Sequence, residues 1–283
     1  MKMLISNEKR INRNNPTPKN QKGFGDGVYI IGAGNMGGAM AKVLAKHGQK
    51  VFVYDRNLAK VKTLGNKNIY LDKNFANLAK ADFVVLAVKP FQLKDLAEQI
   101  KNLVKPSAIL CSILAGVKIA RIQTVFDRKK VVRVMPNLGL VVGESIAGWT
   151  SAGLSNIEKQ RVKKILNAIT ENFEVQHEQQ IDSITAISGS GPAYFFYLAE
   201  ALQKSAESLG FNTKTARKLV EKTFRASAHL QSGADYQTLI NQVASKKGTT
   251  EEALKVFQKF NFNKIIKLTV QAAQKRAREI SNE

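Results

Sequence analysis

The sequence predicts an α/β protein: a doubly wound parallel sheet followed by an all-helical C-terminal dimerisation domain. The first half contains short runs that are apolar at every position, which is typical of strands covered by helices on both faces. The segments between these runs are too long for hairpins. From Ile181 onward the chain shows only helical spacing. We therefore predict an extension over residues 1–26, a sheet domain over 27–178 and a helical domain over 179–283.

The first element is the apolar run Val28–Ile31, which ends in a glycine-rich turn. Gly32, Gly34 and Gly37 have the G-x-G-x-x-G spacing, and residues 36–47 have helical spacing. In such a turn the first glycine permits the bend, the second lets the backbone approach a phosphate, and the third allows close helix–strand packing. Because the helix N-terminus is positive, we expect a dinucleotide pyrophosphate here. An ordinary βα turn is the alternative.

The other elements of the first half alternate between strands and helices. Predicted strands cover residues 51–55, 82–88, 108–114, 131–135, 143–150 and 173–176, and predicted helices cover 93–104 and 155–170. This alternation predicts a Rossmann-type sheet.

The second half carries more apolar helix surface than a monomer can bury. Pro192 suits the start of a helix that is mostly apolar up to Leu209, and the next helix carries an apolar stripe up to Leu230. We infer a dimerisation surface, and packing against the chain's own sheet domain is the alternative.

A third segment of interest surrounds Thr249. Thr249 and Glu252 have the spacing of a capping box, which predicts a helix start beside Gly248. Free N–H groups at a helix start can bind a carboxylate. A plain helix cap is the alternative.

Composition narrows the function. The 283 residues include one cysteine, Cys111, so a disulfide framework and a cysteine-rich metal site are excluded, and we expect no metal. No apolar run reaches the roughly 18 residues that span a bilayer, so we expect a cytoplasmic protein with no membrane partner. Residues 1–26 lack hydrophobic periodicity and are predicted to be disordered, with an organelle-targeting leader as the alternative.

The formal net charge is +22. The basic residues are spread over helix faces without aromatic interleaving, so we expect no nucleic-acid partner.

Six separated motifs extend from about Gly27 to the last helix. They are Gly32-Ala-Gly-Asn-Met-Gly37, Ala87-Val-Lys-Pro90, Ser112-Ile-Leu-Ala-Gly-Val117, Arg133-Val-Met-Pro-Asn137, Ser188-Gly-Ser-Gly-Pro-Ala-Tyr194 and Gly248-Thr-Thr250. Together they resemble the motifs of the pyrroline-5-carboxylate reductase family. The resemblance implies reduction of 1-pyrroline-5-carboxylate to L-proline, the last step of proline biosynthesis, in a homodimer or higher homo-oligomer. A reductase of another small imine or oxo acid, or a catalytically impaired cofactor-binding paralogue, is the alternative.

The resemblance also implies roles for individual residues. Cofactor contacts fall on Gly32, Ala33, Gly34, Asn35, Met36, Gly37, Asp55, Arg56, Asn74, Ala87, Val88, Lys89, Pro90, Ile113, Leu114 and Ala115, with the last three near the nicotinamide. The substrate carboxylate falls on Ser245, Gly248 and Thr249, and the catalytic role falls on Thr250, which would hydrogen-bond the ring nitrogen. A cyclic imine takes its proton from solvent, so alignment for hydride transfer does most of the catalysis.

Two departures from the family pattern stand out. The family usually reads Ser-Pro-Gly-Gly-Thr-Thr where this chain reads Ser245-Lys-Lys-Gly-Thr-Thr250. If the replaced glycine has a positive φ, Lys247 strains the loop by about 1 kcal/mol or more, while the added ammonium groups attract a carboxylate. Leu138-Gly139 also stands where the family commonly has a second proline. These changes put catalytic efficiency and substrate identity in question, but not the fold.

Cofactor choice rests on conflicting signals. Asp55 lies where a carboxylate favours the ribose diol of NAD, while adjacent Arg56 can pair with the 2′-phosphate of NADP. Because members of the resembled family more often prefer NADPH, we expect NADP(H) to be slightly favoured over NAD(H).

Overall fold

The computed structural model describes residues 27–231 and 233–281, so the predicted extension over residues 1–26 lies outside the described residues. The strands are β1 (Val28–Ile31), β2 (Val51–Tyr54), β3 (Ile69–Leu71), β4 (Phe83–Leu86), β5 (Ile109–Ser112), β6 (Val131–Met135), β7 (Ile146–Ala152) and β8 (Glu171–Glu174). The helices are α1 (Asn35–Lys46), α2 (Leu58–Lys62), α3 (Leu93–Ile100), α4 (Ile119–Phe126), α5 (Asn156–Ile169), α6 (Gln179–Ile184), α7 (Gly191–Ser208), α8 (Thr213–His229), α9 (Tyr236–Val243), α10 (Thr249–Lys259) and α11 (Phe262–Ile280). Shorter helical turns cover 78–80, 90–92 and 138–142, and a π-helical turn covers 185–189.

The eight strands form one sheet in the order β3-β2-β1-β4-β5-β6-β7-β8. The predicted Rossmann-type fold is confirmed. One pair departs from it, because β7 runs antiparallel to β6. The connection of residues 136–145 contains only a short helical turn, too little for a parallel crossover. The strand order reverses between β1 and β4, which is where ligands bind in open α/β sheets.

The core fills both faces of the sheet. Val28 and Ile30 pack in the layer that contains α1 and α5, while Tyr29 and Ile31 pack in the layer that contains α3 and α4. All four residues are at most 1% exposed. Because successive side chains of a strand point to opposite faces, a strand covered on both sides must be apolar throughout.

The helical half packs differently. In α7, Phe195, Phe196 and Tyr197 are 57%, 61% and 76% exposed. Phe195 meets Phe224 of α8 edge to face, with ring centroids 5.7 Å apart. The C-terminal end of α11 packs against Gly116 of the sheet domain. There a Cβ at Gly116 would lie only 2.5 Å from Cγ2 of Ile280. The all-helical C-terminal region is confirmed.

Several predicted boundaries shift. The strand predicted at 173–176 lies at Glu171–Glu174, and the one predicted at 143–150 lies at Ile146–Ala152. The elements β3 and α2 were not predicted, because each is too short to show a clear period. The helix α4 was also not predicted, although its buried Ile119, Ile122 and Phe126 have helical spacing. Since β8 ends at Glu174 and α6 begins at Gln179, a boundary at 178/179 remains a prediction.

Candidate active site

The glycine-rich turn after β1 is shaped by close packing on one side and open space on the other. Gly32 has φ +108°, and a Cβ there would lie 2.5 Å from the carbonyl oxygen of Ala87. A Cβ at Gly37 would lie 2.0 Å from the carbonyl oxygen of Gly32, so neither position accepts a side chain. A Cβ at Gly34 would meet nothing within 4 Å. The turn therefore leaves its open side at the start of α1, where a phosphate can approach.

A cleft of about 880 Å³ opens at the residues that directly follow β1, β2, β4 and β5. The predicted cofactor residues that line it are Gly32, Gly34, Asn35, Met36, Asp55, Arg56, Ala87, Val88, Lys89, Pro90, Ile113, Leu114 and Ala115. The structure thus gathers these residues, which are distant in sequence, around one elongated space.

Three predicted cofactor residues do not line the cleft. Ala33 lines a neighbouring cavity of about 620 Å³, and Gly37 lies beneath the turn. Asn74 lies after β3, where its backbone N–H donates to Oδ1 of Asp72 at 3.3 Å. Its neighbour Phe75 packs on Tyr54, a cleft residue, with ring centroids 4.0 Å apart.

Charged side chains surround the end of β2. Oδ2 of Asp55 accepts the backbone N–H of Ala33 at 2.7 Å, and Oδ1 accepts that of Asn57 at 2.8 Å. This carboxylate therefore ties β2 to the glycine turn. Arg56 and Lys60 line the same cleft, and neither makes an ion pair with another described residue. The two cations suit an anionic group at this end.

Sequence reasoning missed several cleft residues. They are Ile31, Tyr54, Asn57, Lys60, Gln92, Leu96, Gln99, Met135 and Leu138. Gln92, Leu96 and Gln99 have the spacing of one helix face directly after Pro90, a signal that could have found them. Met135 and Leu138 reach the cleft from β6 and the turn after it, and no local pattern indicates that approach.

The predicted substrate residues Ser245, Gly248, Thr249 and Thr250 lie between α9 and the first turn of α10. None of them lines the cleft of the same chain. Within one chain the structure therefore does not bring the two predicted halves of the site together in this cleft.

The capping box predicted at Thr249 and Glu252 is wrong. Gly248 is the N-cap residue, so the third helical position is Glu251, whose carboxylate accepts the backbone N–H of Lys247. Glu252 instead pairs with Lys255 at 2.6 Å. Glu251 thus reaches the residue before the N-cap, four positions back, and Gly248 has no side chain with which to complete a capping box. Lys247 has φ +59°, the left-handed conformation that the replaced glycine would adopt without strain.

The described residues include neither a reactive cysteine thiol nor a group of metal ligands. Cys111 is fully buried in β5, and burial raises the pKa of its thiol to about 12, so it stays protonated. Among the residues the structure describes, no three His, Cys, Asp or Glu side chains are grouped as metal ligands. In the same residues no helix combines the length and apolarity needed to cross a bilayer.

Two family models match separate parts of the chain. Residues 178–280 match the model for pyrroline-5-carboxylate reductase dimerisation, and residues 27–116 match the model for NADP oxidoreductase, coenzyme F420-dependent.

Full-length relatives and solved structures agree with these models. The pyrroline-5-carboxylate reductase of Haemophilus influenzae is 34% identical to this chain, over 89% of this chain and 97% of the relative. That of Pseudomonas aeruginosa is 32% identical, over 90% of this chain and 97% of the relative. The structure of a pyrroline-5-carboxylate reductase from Coxiella burnetii superimposes with a TM-score of 0.81 at 32% identity, covering 90% of this chain and 98% of that one. The NADP-bound pyrroline carboxylate reductase of Plasmodium falciparum gives a TM-score of 0.79 at 27% identity, covering 92% and 100%.

Proposed function

The chain belongs to the pyrroline-5-carboxylate reductase family, and we propose that it reduces 1-pyrroline-5-carboxylate to L-proline with NAD(P)H. The observation that carries the proposal is the open face of Gly34, which begins a cleft that continues to Ile113, Leu114 and Ala115. When bound, the reduced nicotinamide supplies the hydride for the imine carbon.

The chain's own residues would bind and orient the reactants. The N–H groups at the start of α1 would hold the pyrophosphate, and the apolar side chains of Ile113 and Leu114 would exclude water from the nicotinamide end. Ser245 and the amides at Gly248 and Thr249 would hold the substrate carboxylate, while the Thr250 hydroxyl would orient the ring nitrogen. No side-chain acid is needed, because solvent protonates the imine.

The substrate residues would come from a second copy of the chain. Support comes from the lining of the cleft, because none of the four predicted substrate residues lines the cleft of its own chain. The exposed aromatic residues of α7 provide the surface on which two chains would associate. A homodimer would therefore be the smallest complete catalytic unit.

NADP(H) is the preferred cofactor in this proposal. The carboxylate of Asp55 already accepts two backbone N–H groups, whereas Arg56 and Lys60 offer two cations at the same end of the cleft. A 2′-phosphate suits such a pair. The measurement is kcat/KM with NADPH and NADH for the unaltered protein and for Arg56→Ala and Lys60→Ala. Both variants should lose efficiency with NADPH only, while Lys62→Ala, on the same helix but outside the cleft, should match the unaltered protein.

The activity itself is tested by following NADPH oxidation with 1-pyrroline-5-carboxylate and measuring the proline formed. Turnover of another imine or oxo acid at higher kcat/KM would identify a different reductase. Tight NADPH binding without turnover of any such substrate would identify an impaired paralogue.

The proposal also includes a cytoplasmic location without a nucleic-acid partner. A single buried cysteine suits a reducing compartment, and the basic residues are dispersed over helix faces. Cell fractionation and a salt-dependent nucleic-acid binding assay would test the two statements.

A further inference from the structure

A buried ion cluster joins the sheet domain to the first helix of the helical half. Arg133 of β6 is 1% exposed. One of its terminal nitrogens lies 2.6 Å from Oδ1 of Asp182, and the other lies 3.1 Å from Oε1 of Glu178. Glu178 is the N-cap residue of α6, and Asp182 lies within that helix. Because a charge taken out of water is stable only when paired in good geometry, Arg133 restricts where α6 can sit.

Glu178 extends the cluster to a third element. Its Oε1 also accepts the backbone N–H of Ile119 at 2.8 Å, at the start of α4. The segment directly before α4 includes Ile113, Leu114 and Ala115, which line the nicotinamide end of the cleft. One carboxylate therefore holds α6, β6 and the chain leaving the cleft.

The strand that carries Arg133 also reaches the cleft. In the β5–β6 ladder Arg133 pairs with Ser112, the last residue before the cleft-lining segment. Two residues further along β6, Met135 lines the cleft. A Cβ at Gly189, in the π-helical turn after α6, would lie 2.7 Å from Cε of Met135. Movement of α6 would thus reach the nicotinamide end through the Met135 contact.

We infer that Arg133, Glu178 and Asp182 are positioning residues that fix the helical half at the distance hydride transfer requires. The inference rests on the proposed function, in which the helical half of each chain carries the substrate loop that enters its partner's cleft. The position of α6 would then set the position of that loop through the association of the two helical halves. None of the three lines the cleft, so they act through α6 and the segment before α4. Small displacements between hydride donor and acceptor are costly to rate, whereas the dinucleotide contacts lie elsewhere in the cleft.

The test compares Glu178→Gln, Asp182→Asn, Arg133→Met and Arg133→Lys in the full-length enzyme. We measure kcat, the dissociation constant for NADPH, and the primary isotope effect with deuterated NADPH. Misplacement predicts a kcat lower by about tenfold or more and a larger isotope effect, with NADPH affinity within about twofold. Arg133→Lys should recover part of the loss, because it keeps the charge without the two-pronged geometry. Should Arg133→Met fail to fold, the two carboxylate variants decide.

Glu158→Gln is the matched control. Glu158 also accepts a backbone N–H, from Ser155 at 2.9 Å, and pairs with a cation, Lys130 at 2.6 Å, but it does not line the cleft. Its variant should keep kcat and the isotope effect. Equal losses in Glu158→Gln and Glu178→Gln, or loss of NADPH affinity in parallel with kcat, would overturn the inference.

A second measurement does not depend on turnover. Amide hydrogen exchange over residues 113–119 should accelerate in Glu178→Gln but not in Glu158→Gln, because only Glu178 holds the Ile119 amide. Unchanged exchange would overturn the inference even if the protein turned over no substrate. Absence of turnover in the unaltered enzyme would instead reject the proposed function.

Discussion

The two halves of this molecule bury their apolar residues to very different degrees. In β1 of the sheet domain every side chain is at most 1% exposed, whereas three consecutive aromatic residues of α7 are more than half exposed. The sheet domain therefore buries its apolar side chains within one chain, whereas the helical half leaves a large apolar surface exposed. This difference matches the proposed division of labour, in which one chain forms the cofactor cleft and the helical half completes the site of its partner.

The largest expected effect is a loss of stability in the sheet domain. In Gly37→Ala the new Cβ would lie 2.0 Å from the carbonyl oxygen of Gly32 and 2.8 Å from Cβ of Ala87. We expect the free energy of unfolding to fall by about 3 kcal/mol or more, measured by urea denaturation.

Gly34→Ala is its control, because a Cβ there meets nothing within 4 Å. Its stability should stay within about 1 kcal/mol, while NADPH binding weakens as the methyl group enters the phosphate space. Equal stability of the two variants would show that the turn is not closely packed.

The next prediction concerns the helical half, where substitutions on α7 should disrupt the association of two chains. The double variant Phe196→Glu/Tyr197→Glu places two carboxylates on the exposed face of α7. Since an unpaired buried carboxylate costs several kcal/mol, the dimer should dissociate and turnover should fall by about a hundredfold. NADPH binding should persist, because its cleft lies within one chain. Sedimentation and NADPH fluorescence provide the two measurements.

Ile157→Glu is the matched control. Ile157 is 73% exposed, as much as Tyr197, but lies on α5 of the sheet domain. Its variant should keep both assembly and turnover. A dimer that survives the double variant would place the interface elsewhere.

A smaller effect tests whether Thr250 of the helical half takes part in catalysis. In Thr250→Val the proposed hydrogen bond to the substrate nitrogen is lost. A hydrogen bond to a charged group contributes roughly 1.5–3 kcal/mol, so kcat should fall about 10- to 100-fold with NADPH affinity unchanged. Thr250→Ser should retain most of the rate. Full activity in Thr250→Val would remove Thr250 from the site.

The sequence predicted most of the sheet domain, because its information is local. The glycine spacing at Gly32, Gly34 and Gly37 predicts the turn. Apolar runs such as Val28–Ile31 predict strands that are buried on both faces. The approach of Met135 to the cleft was not predictable, since it depends on how β6 lies beside β5. The same holds for the Arg133 cluster, whose partners lie 45 and 49 residues away.

The helix start at residue 249 shows a different limit. A hydroxyl residue three positions before a glutamate predicts a capping box at Thr249, yet Gly248 and Glu251 have the same spacing and form the actual helix start. Spacing alone does not choose between two registers one residue apart. The Lys247 expectation did better, because it rested on backbone conformation.

That loop provides the smallest and most specific test of the comparison. Lys247 has φ +59°, so Lys247→Gly should stabilise the protein by about 1 kcal/mol in thermal or urea unfolding. The adjacent Lys246 is not among the positive-φ residues, and Lys246→Gly should instead cost about 0.5–1 kcal/mol through backbone entropy. Equal effects of the two substitutions would show that no strain is stored at Lys247. If Lys247→Gly stabilises the chain and also raises KM for the substrate, the lysine attracts the carboxylate at the expense of stability. Strain would then serve substrate binding in the half of the molecule that depends on a partner.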